Sequence, residues 1–143
     1  MADQIAQFSG DYEWLSNFAD AVVHLDGEDY RTVEHAYQAA KTFNRTARMK
    51  IRGAGTPNSA KKMGRGVQIR EDWEQVKIGT MEALLRQKFA QPDFKAKLLA
   101  TGDAELVEGN WWGDVFWGVC RGVGQNQLGK LLMQTRTGRV EDK

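Results

Sequence analysis

The chain has 143 residues, with 20 lysines and arginines against 19 aspartates and glutamates and a formal net charge of +1. This length is typical of one domain, and the balanced charge excludes a protein whose whole surface is basic for nucleic-acid binding. The only cysteine, Cys120, excludes an intramolecular disulfide, and with just two histidines in the chain we expect no metal and no other cofactor.

The N-terminus lacks the basic and apolar regions of a signal peptide, and no stretch reaches the ~20 apolar residues of a membrane span. We therefore expect a soluble, cytoplasmic protein that has no membrane partner. A single domain is expected over residues 1–143, with a disordered polar tail at 137–143.

In chain order, the pattern predicts a strand at 5–8, an ordered loop or one helical turn at 12–18, a hairpin at 21–30, helices at 33–41, 45–52, 57–64, 73–89 and 92–99, a strand at 106–107, and a last helix from about 126. Asp26-Gly27 supplies the positive φ angles of a tight hairpin turn. Thr56-Pro57 places a capping residue and a proline at the start of a helix. The predicted fold class is mainly α, an α+β domain with a few short strands and an N-terminal β-hairpin.

The helix that follows the hairpin has two distinct faces at about 100° per residue. One arc is mostly apolar and contains Val33, Ala36, Tyr37, Ala40, Phe43 and Asn44. The adjacent arc is polar and contains Glu34, Gln38, Lys41 and Arg45. We expect the apolar arc to face a core and the polar arc to lie at its edge. The alternative is a surface helix whose charges are simply solvated.

Residues 108–124, the aromatic loop, combine several glycines with four aromatic residues. Such a loop keeps its apolar area only if it packs on the core or binds a flat ligand, and both alternatives stand. In the first, Asp114 would accept hydrogen bonds from backbone amides. The glycine spacing matches neither nucleotide-binding motifs nor a nucleophile elbow, and Cys120 is interpreted as a buried small residue.

A series of motifs along nearly the whole chain resembles one family. They are Phe8-Ser9-Gly10, Leu15-Ser16-Asn17-Phe18, residues 30–41, Lys62-Met63-Gly64-Arg65, Asp72-Trp73-Glu74, Lys88-Phe89, residues 114–118, and Asn126-Gln127-Leu128-Gly129 with Leu132-Met133. Together they resemble the YbiA-like family, also called NADAR. After Trp117-Gly118 the chain continues with Val119-Cys120-Arg121, where some members carry Asp-Gly or Gly-Gly.

The resemblance implies a mainly helical domain and a glycosidase that cleaves the bond between ribose C1 and an exocyclic amine. The first substrate it implies is ADP-ribose on the amino group of guanine, in a nucleotide or in nucleic acid. The alternative substrate is a ribosylamino-pyrimidine phosphate of riboflavin biosynthesis, and a third possibility is a non-catalytic module that binds ADP-ribose or nucleic acid. Protein partners are not specified by the sequence.

The chemistry of such a bond, applied to the residues of these motifs, indicates which of them form the site. Glu34, Lys41 and Asp114 would be catalytic, with Lys41 forming a Schiff base at C1, Glu34 moving protons, and Asp114 orienting ribose hydroxyls or serving as a second carboxylate. Substrate contacts are expected from Ser16, Asn17, Phe18, Tyr37, Gln38, Arg65, Trp73, Trp117 and Gly118. Among these, the rings of Phe18, Trp73 and Trp117 would stack on a base, Gln38 would bind a ribose hydroxyl, and Arg65 would clamp a pyrophosphate.

Lys41 can act as a nucleophile only if its amine is partly neutral. Burial beside Tyr37 and the aromatic loop, or a nearby Arg45, would lower its pKa. The alternative for Lys41 is a salt bridge to Glu34.

Overall fold

The structure is a computed structural model that describes residues 3–138. Its helices are α1 (Val33–Ala40), α2 (Arg45–Arg52), α3 (Pro57–Gly64), α4 (Trp73–Ala90), α5 (Pro92–Ala100) and α6 (Gln127–Thr137), with a 3-10 helix at Gly10–Leu15. Its strands are β1 (Gln4–Ile5), β2 (Val23–Leu25), β3 (Glu28–Tyr30), β4 (Glu105–Leu106), β5 (Gly109–Asn110) and β6 (Val119–Cys120). The predicted fold class, mainly helical with a few short strands, is confirmed.

The chain divides into two compact units, one formed by residues 17–88 and the other, among the described residues, by 3–16 and 89–138. The expectation of one domain over residues 1–143 therefore stays a prediction. No helix among residues 3–138 is long and apolar enough to cross a membrane.

In the unit 17–88, the predicted hairpin precedes α1. Strands β2 and β3 pair in antiparallel register with Val23 opposite Tyr30. The turn residues Asp26 and Gly27 have φ angles of 50° and 87°. Both angles are positive, as a two-residue hairpin turn requires, so the Asp-Gly prediction is confirmed.

Helix α1 begins where its cap residue predicts. The Thr32 hydroxyl accepts a hydrogen bond from the His35 backbone N–H at 3.0 Å. The same hydroxyl lies 2.8 Å from His35 Nδ1, and His35 Nε2 lies 3.1 Å from the Ala54 carbonyl oxygen. A carbonyl can only accept, so Nε2 carries the proton and Nδ1 accepts from Thr32. Burial lowers the pKa of this fully enclosed imidazole, which favours the neutral form.

Helix α1 packs against both α2 and α3 and is buried on every side, including its polar arc. Glu34 is 7% exposed and Gln38 is 4% exposed. The surface-helix alternative is therefore wrong. The polar arc is enclosed because α2 and α3 pack against α1. A helical wheel of α1 alone does not include these neighbouring helices.

The helix ends earlier than the predicted arcs assume. Lys41 is its C-cap, and the backbone N–H of Arg70 donates to the Lys41 carbonyl at 2.8 Å. Phe43 is consequently off the helix and 64% exposed, so its placement on the core arc was wrong. Asn44 accepts from the Ala47 N–H at 2.8 Å as the cap of α2, and Arg45 begins that helix instead of extending the polar arc.

In the other unit, short parallel ladders join β1 to β4 and β5 to β6. Strand β1 ends at Ile5, so the predicted strand 5–8 is found one residue earlier and shorter. Asn126 connects these strands to α6, because its side chain accepts from the Glu108 N–H at 3.0 Å and donates to the Leu106 carbonyl at 2.9 Å. Helix α6 includes Thr137, so the expectation of a disordered tail is wrong at that residue, and residues 139–143 of the predicted tail lie outside the described range.

Candidate active site

Glu34 and Gln38 form a buried polar pair on α1. Gln38 Nε2 donates to Glu34 Oε2 at 2.6 Å, one helical turn away. A bond to a carboxylate is charge-assisted and fixes the orientation of the acceptor. The backbone N–H of Glu34 donates to the Asn17 carbonyl at 3.1 Å, which also anchors the start of the helix.

Lys41 lies two turns from Glu34 on the same helix and is half-buried. Its Nζ lies 5.7 Å from the centroid of the Tyr37 ring. Burial is the main cause that lowers the pKa of Lys41, and the Glu34 carboxylate opposes it by raising the pKa. Among residues 3–138, Lys41 has no ion pair within 4.0 Å, so the salt-bridge alternative is not the arrangement in this structure.

Three further cations lie near enough to Lys41 to lower its pKa. They are Arg65, Lys61 and Lys77. Arg45, which we expected in this role, is not among them, because it belongs to α2. The positive charge around Lys41 therefore comes from Lys61 on α3, from Arg65 at the C-cap of α3 and from Lys77 on α4.

Arg70, which is not among the predicted site residues, fixes the backbone of Lys41. Besides the bond to the Lys41 carbonyl, Arg70 Nη1 lies 3.4 Å from the Ala40 carbonyl oxygen. Asp72 holds the same guanidinium with two bonds of 2.6 and 2.9 Å. Arg70 thus binds carbonyl groups at the end of α1. Because Arg70 is far from α1 in the sequence, no local pattern predicts this contact.

Aromatic residues line the base of this arrangement. The rings of Tyr37 and Trp73 are 5.2 Å apart and tilted by 56°. Both are buried, each 6% exposed, so Trp73 supports the Tyr37 ring rather than standing open to a base. Phe18 is 37% exposed and is the more accessible of the predicted stacking residues in this unit.

Asn17 is the most enclosed of the predicted contact residues near the start of α1. Its Nδ2 lies 3.5 Å from Met81 Sδ. Its Oδ1 is buried and has no hydrogen-bond partner within residues 3–138. A buried acceptor without a donor is uncommon in folded proteins and suggests a ligand or water. Ser16 belongs to the other unit, where its N–H donates to the Glu13 carbonyl at 2.9 Å.

Asp114 organises the aromatic loop. Its Oδ1 accepts from the backbone N–H groups of Phe116 and Trp117 at 3.1 and 2.9 Å. The Asn110 side chain binds the backbone of Asp114 twice. It accepts from the Asp114 N–H at 3.0 Å and donates to the Asp114 carbonyl at 2.9 Å. This is the amide-capping arrangement that the packing alternative predicts. The second oxygen, Oδ2, has no hydrogen-bond partner in the described part of the chain.

The aromatic loop nevertheless does not bury its rings. Trp111 and Trp112 are 81% and 49% exposed, and Trp117 is half-buried with its ring edge-on to Phe116 at 4.8 Å. Gly118 is buried, and a Cβ there would lie 2.2 Å from the Glu108 carbonyl oxygen. Glycine at this position is therefore explained by the close approach of backbones.

The predicted site residues thus fall into two groups. Those in the unit 17–88 are Asn17, Phe18, Glu34, Tyr37, Gln38, Lys41, Arg65 and Trp73, and those in the other unit are Ser16, Asp114, Trp117 and Gly118. No group of three or more histidine, cysteine, aspartate or glutamate side chains within residues 3–138 is arranged to hold a metal ion. That catalysis needs no metal stays a prediction.

Comparison with known proteins identifies the family. The model of the NADAR domain matches residues 6–138. N-glycosidase YbiA of Escherichia coli is 41% identical over 143 residues, which cover 95% of this chain and 89% of that protein. The NMR structure of E. coli YbiA superimposes with a TM-score of 0.84 and 38% identity over 99% of this chain and 88% of that one.

A longer relative contains the same region. Riboflavin biosynthesis protein VVA0006 of Vibrio vulnificus is 35% identical over 127 residues, which cover 86% of this chain and 34% of that protein. The named N-glycosidase supports a hydrolase activity of the glycosidase class for this chain, as the resemblance implied. Because the family model spans nearly all the described residues and the identity extends over nearly the whole of YbiA, the chain belongs to the NADAR family.

Proposed function

We propose that this glycosidase cleaves the bond between ribose C1 and an exocyclic amine, and that its substrate is ADP-ribose attached to the amino group of guanine in nucleic acid. One observation carries the proposal. A half-buried amine, Lys41, has a lowered pKa and shares a helix with a buried carboxylate, Glu34, whose position is fixed by Gln38. A lowered pKa increases the fraction of neutral amine, and the neutral amine is the nucleophilic form toward carbonyl-like carbon.

The first half of the reaction exchanges one amine for another. The C1–O4′ bond of the riboside breaks, the exocyclic nitrogen supplies an electron pair to C1, and a proton goes to O4′. The neutral amine of Lys41 then adds to C1 of this open-chain iminium. The guanine amine leaves with a proton, and the electron pair of the lysine nitrogen completes a lysine–ribose iminium.

Water completes the second half. It adds to C1 of the lysine iminium while Glu34 accepts one of its protons, and the resulting carbinolamine collapses to release Lys41 and the ribose aldehyde, which closes its ring. Glu34 suits this role because it is buried and oriented before the substrate arrives. The net reaction consumes one water and needs no oxidant or reductant.

The charges around Lys41 support an anionic substrate. Arg65, Lys61 and Lys77 all act on its pKa, so they lie within electrostatic range of the reacting amine. Arg65 is exposed at the C-cap of α3, where a guanidinium can bind a phosphate with two parallel hydrogen bonds. A pyrophosphate on the ribose would bring its negative charge to this group.

Helix α2 supports nucleic acid over a free nucleotide. Four of its eight residues are basic and none is acidic, and two of the four, Arg48 and Arg52, are paired with acidic residues of the β2–β3 hairpin. The helix follows Phe43, whose ring is 64% exposed. The guanidinium of Arg70 lies 4.1 Å from the centroid of that ring. Exposed aromatic rings among basic side chains are typical of surfaces that bind single strands, because bases stack while phosphates are neutralised.

Five further residues are proposed to contact the substrate. Asp114 is proposed to use its unpartnered Oδ2 on the ribose hydroxyls, with Trp117 stacking on a base and Gly118 and Ser16 as backbone contacts. Asn17 Oδ1, buried and without a donor among the described residues, is proposed to accept from a substrate hydroxyl.

A second candidate substrate is a ribosylamino-pyrimidine phosphate. The observation that favours it is the 35% identity to a protein named for riboflavin biosynthesis. Its reacting bond is chemically the same, since ribose C1 is again joined to an exocyclic amine. Its single phosphate would need fewer of the cations near Lys41 than ADP-ribose does.

The deciding experiment incubates the protein with guanine-ADP-ribosylated single-stranded DNA and, separately, with the ribosylamino-pyrimidine phosphate. We expect ADP-ribose and unmodified DNA from the first reaction at a kcat/KM well above that of the second. The reverse ranking would establish the second candidate, and no turnover of either substrate would contradict the proposed function.

A further inference from the structure

We propose that Gly64 is a positioning residue, which closes against the side-chain amide of Gln38 and thereby holds the carboxylate of Glu34 in its working orientation. The role of Glu34 rests on the proposed function. The contact between Gly64 and Gln38 does not, since it is a feature of the packing of α3 on α1.

The contact is closer than any other residue would allow. A Cβ built on Gly64 would lie 1.9 Å from Gln38 Oε1, 2.7 Å from its Cδ and 3.2 Å from its Cβ. The backbone angles of Gly64 do not require glycine, because its φ is not positive. Gly64 is the last residue of α3 and is buried, and glycine lowers helix stability relative to alanine. Close approach to Gln38 is therefore the physical reason for glycine here.

The amide of Gln38 is held in an unfavourable environment. Its Nε2 donates to Glu34, whereas its Oε1 is buried and has no hydrogen-bond partner within residues 3–138. An orphaned acceptor costs free energy, so an amide with room to turn would move it toward a donor or water. The Gly64 backbone occupies that room. Turning the amide over would instead place Oε1 against the Glu34 carboxylate. This arrangement is unfavourable because both groups are hydrogen-bond acceptors.

Fixing the Gln38 amide also fixes the Glu34 carboxylate that it binds. A short bond from a fixed donor stabilises the ionised carboxylate and restricts its side-chain rotation. Glu34 and its hydrogen-bond donor, Gln38, both lie on α1, but the orientation of the Gln38 amide is set by Gly64 of α3. Gly64 therefore acts on the reaction through Gln38 without touching the substrate, and adding a methyl group at Gly64 should displace the amide and release Glu34.

The test compares the wild type with Gly64→Ala, Gln38→Ala and the double variant. Gly66→Ala is the matched control, because its new Cβ would meet only the Met63 carbonyl oxygen at an ordinary 3.7 Å. Two readouts are used: the pH profile of kcat/KM on the substrate that is turned over, and the titration of the Glu34 side-chain carboxyl followed by ¹³C NMR, which needs no substrate.

We expect Gly64→Ala and Gln38→Ala each to lower kcat/KM about 10–100-fold, because a misplacement of about 1 Å at a reacting centre can cost about 10²-fold, and to shift the Glu34 titration to higher pH. In the Gln38→Ala background, Gly64→Ala should cause little further loss, because the side chain through which it acts is absent. Gly66→Ala should match the wild type. An equal fold-loss from Gly64→Ala in both backgrounds, or an unmoved Glu34 titration, would overturn the proposal.

The role of Gly64 can be tested even if the proposed function fails or the Gly64→Ala variant does not fold. If neither riboside is turned over, the proposed function fails, while the NMR titration still decides whether Gly64 positions Glu34. If Gly64→Ala alone does not fold, the double variant should fold with the melting temperature of Gln38→Ala, since only the 3.2 Å approach to the Gln38 Cβ then remains. A double variant that also fails to fold would overturn the assignment of the contact to Gln38.

Discussion

Glu34→Gln separates the reaction from the fold. The substitution keeps the shape of the side chain, and the new amide oxygen can still accept from Gln38 Nε2. A charge-assisted hydrogen bond worth roughly 1.5–3 kcal/mol becomes a neutral one worth about 1 kcal/mol, while the desolvation cost of a buried carboxylate disappears. These terms oppose each other, so we expect a net change of about 1 kcal/mol or less and a shift of about 3 °C in Tm.

The same change acts on Lys41 in a defined direction. The Glu34 carboxylate raises the pKa of Lys41 against the effects of burial and neighbouring cations. Without it the pKa falls further, so a larger fraction of the amine is neutral at pH 7 and attack on C1 is at least as easy. Hydrolysis of the lysine iminium loses its proton acceptor, and we expect turnover to fall about 10²–10⁴-fold.

The imine should therefore accumulate in Glu34→Gln. Borohydride added during turnover reduces it, and mass spectrometry of the peptide containing Lys41 reports the trapped fraction. We expect more trapped ribosyl adduct in Glu34→Gln than in the wild type, and none in Lys41→Arg, whose guanidinium keeps the charge but is not a nucleophile.

Two results would refute this reasoning. Lys41→Arg turning over at the wild-type rate with no trapped adduct would remove the covalent step and leave water activated by a carboxylate. A folded Glu34→Gln variant that lost turnover yet trapped no adduct would place Glu34 before the imine, in ring opening.

Three further predictions follow from other parts of the molecule. His35 has a lowered pKa in the fold, so the unfolded chain takes up its proton first; stability is complete above about pH 6.5 and falls below it by at most ~1.4 kcal/mol per pH unit. Urea unfolding at pH 7 and pH 5 checks this, and His35→Gln should lose the dependence while exposed His24→Gln keeps it. Turnover in excess chelator should equal turnover without it, and a loss restored by added metal would contradict a metal-free site. Trp117→Ala should weaken ADP-ribose binding, measured by calorimetric titration, with a Tm change of only a few degrees; collapse of the fold would show that its ring serves packing instead.

Local signals account for the elements that were predicted well. Caps and turns are decided by residues within one turn of chain, so Thr32 predicts the start of α1 and Asp26-Gly27 predicts the hairpin. The same holds for the pair on α1, since residues 34 and 38 are neighbours on any helix. Even the role of Asp114 in capping the amides two and three residues later follows a short-range spacing that the sequence analysis kept as an alternative.

Long-range packing accounts for what the sequence did not predict. The helical wheel continued to Phe43 although Asn44 already caps α2. The carbonyl acceptors at the end of α1 are taken up by Arg70, which is distant in sequence. Arg45 was assigned to Lys41 on the same wheel, whereas the cations that act on Lys41 come from α3, its C-cap and α4. Gly64 belonged to a quoted motif, yet its purpose depends on a contact 26 positions away in the chain, between Gly64 and Gln38.

An anionic substrate acts on Lys41 in two opposite ways. Its phosphates would neutralise Arg65 and Lys61, whereas Lys77 is already paired with Glu74 at 2.8 Å. This neutralisation removes a cause that lowers the Lys41 pKa. Its ribose and base would at the same time cover a half-buried amine and deepen its desolvation. Burial is the largest cause of the lowered pKa, and each cation contributes less. Inorganic phosphate alone neutralises the cations without covering the amine, so we expect it to raise the pKa of Lys41 and to make Lys41 a poorer nucleophile than in the free protein.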